Sequence, residues 1–155
     1  MITAPSLEDL ERQETTLVFP RFSEDTAWEI GTALVAAARR DTAPVVVDIR
    51  TPDRTLFHAA LPGSTPDNDH WARRKSNLTL RLHQSSLRAG RRLAAKDTSV
   101  GSDLGLDPLD YAGHGGSFPI RVANVGVIGA ITVSGLASEE DHAMIVAAIG
   151  AHLDL

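Results

Sequence analysis

The spacing of apolar and polar residues predicts helices and strands in the order α-β-α-β-β-α-β-β-α. Ser6 to Gln13 predicts a short helix with Ser6 as its N-cap, and Thr16 to Phe19 predicts a short strand. Ser23 should cap the second helix. The apolar residues of that helix repeat at helical spacing and predict its buried face: Ala27, Ile30, Gly31, Leu34, Val35 and Ala38.

Two hairpins are predicted from short β-branched runs. The first pair of strands is predicted at Val45 to Ile49 and Thr55 to Ala60, with a proline turn between them. Because this connection is so short, the two strands must be antiparallel. Ser117 to Val122 and Val125 to Val133 form the second pair, which turns at Asn124. Because Ser138 then opens a last helix, we predict an α+β fold with helices packed on a mainly antiparallel sheet.

The segment from Asp69 to about Lys96 predicts one long helix, because it has no proline, a single glycine and strong periodicity. Its apolar residues fall on two lines, one of Trp71, Leu78, Leu82, Ala89 and Leu93 and the other of Leu80, Leu87 and Ala94. One line is enough for a sheet contact, so the other is a candidate contact with a second protomer. Asp97 to Gly116 predicts an irregular connection.

Composition narrows the class of protein. The 155 residues favour a single domain, with residues 1–15 as an N-terminal helix or extension and residues 16–153 as the core. The absence of cysteine excludes disulfides, thiol nucleophiles and thiolate ligation of haem. The start of the chain lacks a signal-peptide pattern, and its longest apolar stretch is too short to span a bilayer. We therefore expect a cytoplasmic protein with no membrane partner.

The charge is uneven along the chain. Its net value is −5, yet the stretch from Trp71 to Lys96 carries eight basic residues and no acidic one. With this net charge and few aromatic residues, a solvated face or one that forms salt bridges between subunits is favoured over a nucleic-acid interface.

Five segments, in this order, resemble the uncharacterised protein family grouped with the haem-degrading domain. They are Leu61–Asn68, Trp71 with Arg74-Lys75, His114–Ile120, Gly126–Leu136 and Asp141-His142. The resemblance extends from Thr16 to Leu153, and the wider group includes haem-binding and glycolate-operon proteins. It implies a profilin-like fold with about five antiparallel strands flanked by helices, a homodimer or a higher oligomer built on dimers, and haem as the candidate cofactor.

The first candidate site lies between Pro62 and Lys75. Asp67 and Asn68 are candidate ligand-binding residues, Trp71 could stack on a flat ring, and the basic residues that follow could pair with carboxylates or phosphates: Arg73, Arg74 and Lys75. The alternative is structural, with Asp67 or Asn68 capping the long helix and Trp71 in the core.

The second candidate site is His114-Gly115-Gly116 together with Ser117, the first residue of the following strand and a further candidate ligand-binding residue. His114 is a candidate general base, haem axial ligand or metal ligand, and the glycines could bring backbone N–H groups close to a ligand. Alternatively, they only supply positive φ angles before the strand. The chain has no Gly-x-Ser-x-Gly elbow, so a serine hydrolase is excluded.

Three further residues complete the candidates. Asp141 could orient a histidine in catalysis and His142 could face a shared cleft, but we favour Asp141 as the carboxylate of a cap that begins at Ser138, with His142 on the surface. His58 either points into a cleft or is half-buried and hydrogen-bonded.

Three functions remain open from the sequence. The first is binding of haem or another tetrapyrrole, with His114 and His58 as candidate ligands and the arginines near Trp71 as partners for the propionates. The second is an enzyme that acts on a small anionic metabolite through acid/base chemistry of His114, with Arg74 and Lys75 holding the anion. The third is a non-catalytic homo-oligomeric assembly or adaptor protein.

Overall fold

A computed structural model describes residues 3–155 as three layers, with one sheet between two sets of helices. The sheet has four strands: β1 (Val46–Arg50), β2 (Thr55–Ala60), β3 (Ser117–Val122) and β4 (Gly126–Ser134). Their order is β2-β1-β4-β3, and every neighbouring pair is antiparallel. Both predicted hairpins are therefore present, and Asn124 turns the second one with a φ of 64°.

The expected fifth strand is absent from the described residues. Thr16 is the last residue of α1 (Leu7–Thr16), which Ser6 caps as predicted, so the strand predicted from Thr16 to Phe19 is wrong. Phe19 makes one isolated parallel bridge to Val122. The first residue of the predicted strand belongs to α1 instead. The residues after it do not pair as a strand, and Phe19 is fully buried in the core.

The apolar face of the sheet packs against α2 (Glu24–Arg40) and α6 (Ser138–His152). α2 presents the predicted buried residues, except that Val35 is only partly buried. The fully buried side chains of the strands on this face are aliphatic or aromatic: Val47, Ile49, Phe118, Ile120, Ile131 and Val133. This is the main hydrophobic core.

The opposite face of the sheet is polar and lies under α3 (Pro66–Leu82). The hydroxyl groups of Ser76 on α3, Thr132 on β4 and Ser117 on β3 form a buried chain with 2.9 Å between successive oxygens. These hydroxyls satisfy one another without water, as buried polar groups must. Ser117 is thus a structural residue between helix and sheet.

The predicted long helix is wrong, because it is broken into α3 and α4 (Ser86–Ala95). His83 adopts a left-handed conformation with a φ of 58°, and Ser85 caps α4. The reason is a tertiary contact: the buried Glu14 of α1 accepts hydrogen bonds from the Ser85 N–H at 3.1 Å and from Arg88 at 3.1 Å. A carboxylate at the N-terminus of α4 stabilises the new helix start.

The segment predicted as irregular contains a further helix, α5 (Val100–Leu104). This helix closes a second small hydrophobic core. The core contains Leu78 from α3, Ala89 and Leu93 from α4, Val100 from α5, and Leu106 just after it. The apolar residues that suggested a contact with a second protomer are therefore largely buried within the chain.

The basic residues of this region also find partners within the chain. Arg73 pairs with Asp110 at 3.2 Å, and Arg91 pairs with Glu139 at 3.3 Å. Part of the basic face is thus paired within the chain, whereas Arg81, Arg92 and Lys96 are exposed; salt bridges between subunits stay a prediction.

Candidate functional site

Seven of the predicted site residues line one cleft of about 240 Å³: Asp67, Asn68, Trp71, Lys75, His114, Gly115 and Asp141. The cleft lies between the first half of α3, the loop before β3, the end of β4 and the start of α6. We call it the Trp71–His114 cleft. Ser134 and Ser138 also line it, and neither was predicted to bind a ligand.

A buried ion pair lies in the wall of the cleft. Lys75 Nζ is 3.3 Å from Asp141 Oδ2, and it also donates to the carbonyl oxygens of Gly115 at 3.1 Å and Val133 at 2.7 Å. Burial raises the pKa of Asp141 to about 6, and this effect outweighs the attraction of Lys75. Burial likewise lowers the pKa of Lys75. Perturbed groups of this kind in a cleft mark a candidate functional site.

His114 stands at the exposed side of the cleft. The centroid of its ring lies 4.8 Å from that of Trp71, and the two rings meet edge to face. The Arg74 guanidinium lies over the Trp71 ring, with its central carbon 4.3 Å from the ring centroid. Partial burial, followed by the charges of Arg74 and Lys75, lowers the pKa of His114. The imidazole is therefore neutral at pH 7. The side chain is exposed, so its ring nitrogens are accessible to a ligand that enters the cleft.

The glycines beside His114 allow close packing inside the protein. A Cβ atom on Gly115 would lie 2.5 Å from the Ser138 carbonyl oxygen, and one on Gly116 would lie 2.4 Å from Lys75 Nζ. Gly116 also has a φ of +127°, which a larger residue rarely adopts. Gly116 thus has the positive φ angle that the structural alternative predicts. The groups that closely approach the two glycines belong to α6 and Lys75.

One positioning residue was missed. A Cβ atom on Gly90 of α4 would lie 1.8 Å from the carbonyl oxygen of Gly113, so this helix packs directly on the backbone that leads into His114. The signal was the single glycine in the predicted long helix, because glycine inside a helix often has a packing reason.

His142 and the predicted Ser138 cap need correction. Ala137 is the N-cap of α6, and the Asp141 carboxylate instead accepts the N–H groups of Gly135 at 3.2 Å and Leu136 at 3.0 Å. His142 is 2% exposed rather than on the surface, and its Nε2 lies 2.7 Å from Gln13 Oε1. Burial lowers the pKa of His142 to about 4.

Two other predicted residues have structural partners. His58 lies outside the cleft, with Nδ1 2.8 Å from the buried Asp48 carboxylate and Nε2 3.0 Å from Asp69. Neither Asp67 nor Asn68 is the N-cap of α3, as had been predicted. The helix begins at Pro66, and its N-cap is Thr65. Asn68 still helps by accepting the Thr65 N–H at 2.8 Å.

The described part of the chain has no helix long and apolar enough to cross a membrane. Among residues 3–155, no group of three or more histidine, aspartate or glutamate side chains is arranged to hold a metal ion.

The chain belongs to a known protein family. The family described as "Haem degrading protein HbpS-like" matches residues 22–150, and the chain belongs to this family. A UPF0303 protein of Streptomyces coelicolor is 52% identical over 147 residues, which cover 95% of this chain and 93% of the relative.

Solved structures share the fold. The crystal structure of Ybr137w has a TM-score of 0.89 at 32% identity, covering 96% of this chain and 88% of that one. The PduOC:haem complex has a TM-score of 0.69 at 19% identity, covering 86% of this chain and 95% of that one. The second likeness establishes a common fold only.

Proposed function

We propose that this protein binds a ligand in the Trp71–His114 cleft and that His114 contacts the ligand directly. The observation that carries the proposal is the state of His114, a neutral, exposed imidazole held against Trp71 at the mouth of the cleft. Such a nitrogen can coordinate a metal or accept a proton.

Haem is the first ligand we propose, in keeping with the family. The residues fit the group on one side: His114 offers a single axial ligand, and Trp71 offers an aromatic surface. The cleft of about 240 Å³ is below the range of roughly 300–1,000 Å³ of pockets that enclose drug-sized ligands. Of a bound haem, His114 and Trp71 would therefore hold only the part that reaches the cleft. When bound, it would supply an iron centre for redox or ligand chemistry.

The test is a haem titration of the purified protein, followed by the Soret band. We expect a saturable shift at one haem per chain, which the His114→Ala variant should lose. The absence of a spectral change at micromolar haem, in protein shown to be folded, would refute haem as the ligand.

A second candidate function is an enzyme that acts on a small anionic metabolite. The small volume of the cleft and the buried Lys75–Asp141 pair favour this alternative. His114 would be the acid/base, because its lowered pKa leaves it able to accept a proton at pH 7. Crystals soaked with a mixture of small acids would test it, and a cleft that stays closed and empty beside His114 would count against it.

Self-association remains part of the proposal on the ground of the family resemblance. Light scattering coupled to size-exclusion chromatography measures it directly. A dimer or a multiple of dimers is expected, and a monomer at micromolar concentration would refute it.

A further inference from the structure

We infer that the Trp71–His114 cleft contains a subsite for a carboxylate group, formed by the start of α6 with the hydroxyls of Ser134 and Ser138. The inference rests on the proposed function, since it concerns a ligand in the same cleft. It differs from the sequence prediction, which assigned anion binding to Arg74 and Lys75.

The N-terminus of α6 has unused hydrogen-bond donors. Its N-cap is Ala137, which has no side chain that could cap the helix. Ser138 and Glu139 are the first residues of the helix, and their N–H groups find no acceptor among residues 3–155. Such groups, together with the helix dipole, favour a negatively charged ligand.

A second and independent observation points to the same ligand. Ser134 is only 2% exposed and lines the cleft, yet its hydroxyl makes no hydrogen bond within the described chain. Because Ser134 lines the cleft, this hydroxyl is available to a group that enters it. Ser138 lines the cleft as well and offers a second free hydroxyl.

The basic residues of the sequence prediction are already engaged. The Arg74 guanidinium donates to the Pro108 carbonyl oxygen at 2.8 and 3.1 Å. Lys75 has three acceptors within the chain. Lys75 thus has an acceptor for each of its three N–H groups. Arg74 is held on the Pro108 carbonyl and does not line the cleft.

The acidic residues near the start of α6 do not oppose an anion there. Both oxygens of Asp141 accept hydrogen bonds, from Gly135, Leu136 and Lys75, so its charge is compensated. Glu139 pairs with Arg91, and Glu140 lies in the groove between α2 and α6. Asp67 is the remaining acid of the cleft, and it is exposed.

The carboxylate could belong to a small organic acid or to a propionate of haem, and two probes distinguish these sources. Benzoate offers a carboxylate with an aromatic ring that can pack on Trp71. Its binding is read from the fluorescence of Trp71 in a Trp28→Phe background, because these are the two tryptophans of the chain. Haem is compared with haem dimethyl ester, in which both propionates are blocked.

We expect Ser134→Ala and Ser138→Ala each to weaken benzoate binding by about tenfold, as for a lost hydrogen bond to a charged group. Ser102→Ala, in the exposed part of α5, is the matched control and should bind as the parent does. If a propionate is the natural occupant, haem dimethyl ester should bind more weakly than haem, and Ser134→Ala should reduce the difference.

Two results would overturn the subsite. One is benzoate binding that all three serine variants retain in full. The other is no benzoate binding at millimolar concentration together with equal affinities for haem and its ester. In the second case a Soret shift that depends on His114 would still support the proposed function, so the two proposals fail separately.

Discussion

Lys75 Nζ lies 3.3 Å from the Asp141 carboxylate, and both side chains are only 3% exposed. The pair joins α3 to the start of α6 and so fixes two walls of the cleft. Removing one partner of a buried ion pair leaves an uncompensated charge, which costs far more than the intact pair contributes.

Lys75→Met should therefore destabilise the protein by about 3–5 kcal/mol at pH 8. The loss should be smaller at pH 5, because Asp141, with its pKa raised to about 6, is then largely protonated and needs no cation. Urea unfolding at the two pH values measures both effects. Equal losses at both pH values would contradict the ionised pair.

His142 should make the protein less stable in mild acid. Its pKa is lowered to about 4, so between that value and its usual 6.5 the unfolded chain binds more protons than the folded one, and stability falls as the pH falls. From pH 7 to pH 5 this costs about 2 kcal/mol. Asp141 acts in the opposite direction, because its raised pKa makes the folded chain the better proton binder between 3.8 and about 6.

A His142→Gln variant isolates the histidine, since glutamine keeps a donor for Gln13 and does not titrate. We expect its free energy of unfolding to fall less than that of the wild type from pH 7 to pH 5. Parallel pH profiles for the two proteins would show that His142 does not carry the acid sensitivity.

Glu14 should stabilise the break between α3 and α4. Its carboxylate is 2% exposed and accepts from Ser85 and Arg88, so Glu14→Gln should cost roughly 1.5–3 kcal/mol. Glu11→Gln is the matched control, because Glu11 is 64% exposed and lies 3.6 Å from the same arginine. Chemical denaturation should show almost no effect for the control. Similar losses in both variants would argue against a special role for Glu14.

Gly90 should position His114 through the backbone of Gly113. Gly90→Ala would place a methyl group 1.8 Å from the Gly113 carbonyl oxygen, so we expect a loss of about 1–3 kcal/mol and a displaced His114. Gly101→Ala, whose new methyl would have only ordinary contacts from 3.6 Å, should be neutral or slightly stabilising. Thermal unfolding and haem titration of both variants test this. Unchanged haem binding in Gly90→Ala would rule out the positioning role.

The elements that local patterns determine could be predicted from the sequence. Ser6 and Ser23 cap their helices, and both hairpins form with bounds within one residue of the prediction. The predicted elements that are wrong depend on contacts between residues far apart in the sequence. The break at His83 needs Glu14, which lies 71 residues before Ser85 in the chain. The residues around the break, Leu80 to Leu87, include neither proline nor glycine, the residues that most often interrupt a helix.

The candidate site was predicted in part for the same reason. The motif residues Trp71, Lys75, His114 and Asp141 do meet in one cleft. Their roles depend on partners that spacing does not reveal: His142, next to Asp141, turns into the core towards Gln13. Ser134 belongs to the cleft only because β4 ends beside α3, which the linear sequence cannot show.

The haem affinity of His114→Ala, compared with that of His70→Ala, tests the central proposal most directly. His70 is an exposed histidine of α3 outside the cleft, so its variant controls for nonspecific binding to surface imidazoles. We predict that His114→Ala loses the Soret shift and at least about tenfold in affinity, while His70→Ala behaves like the wild type. Equal haem binding by both variants would contradict His114 as the contact to the ligand.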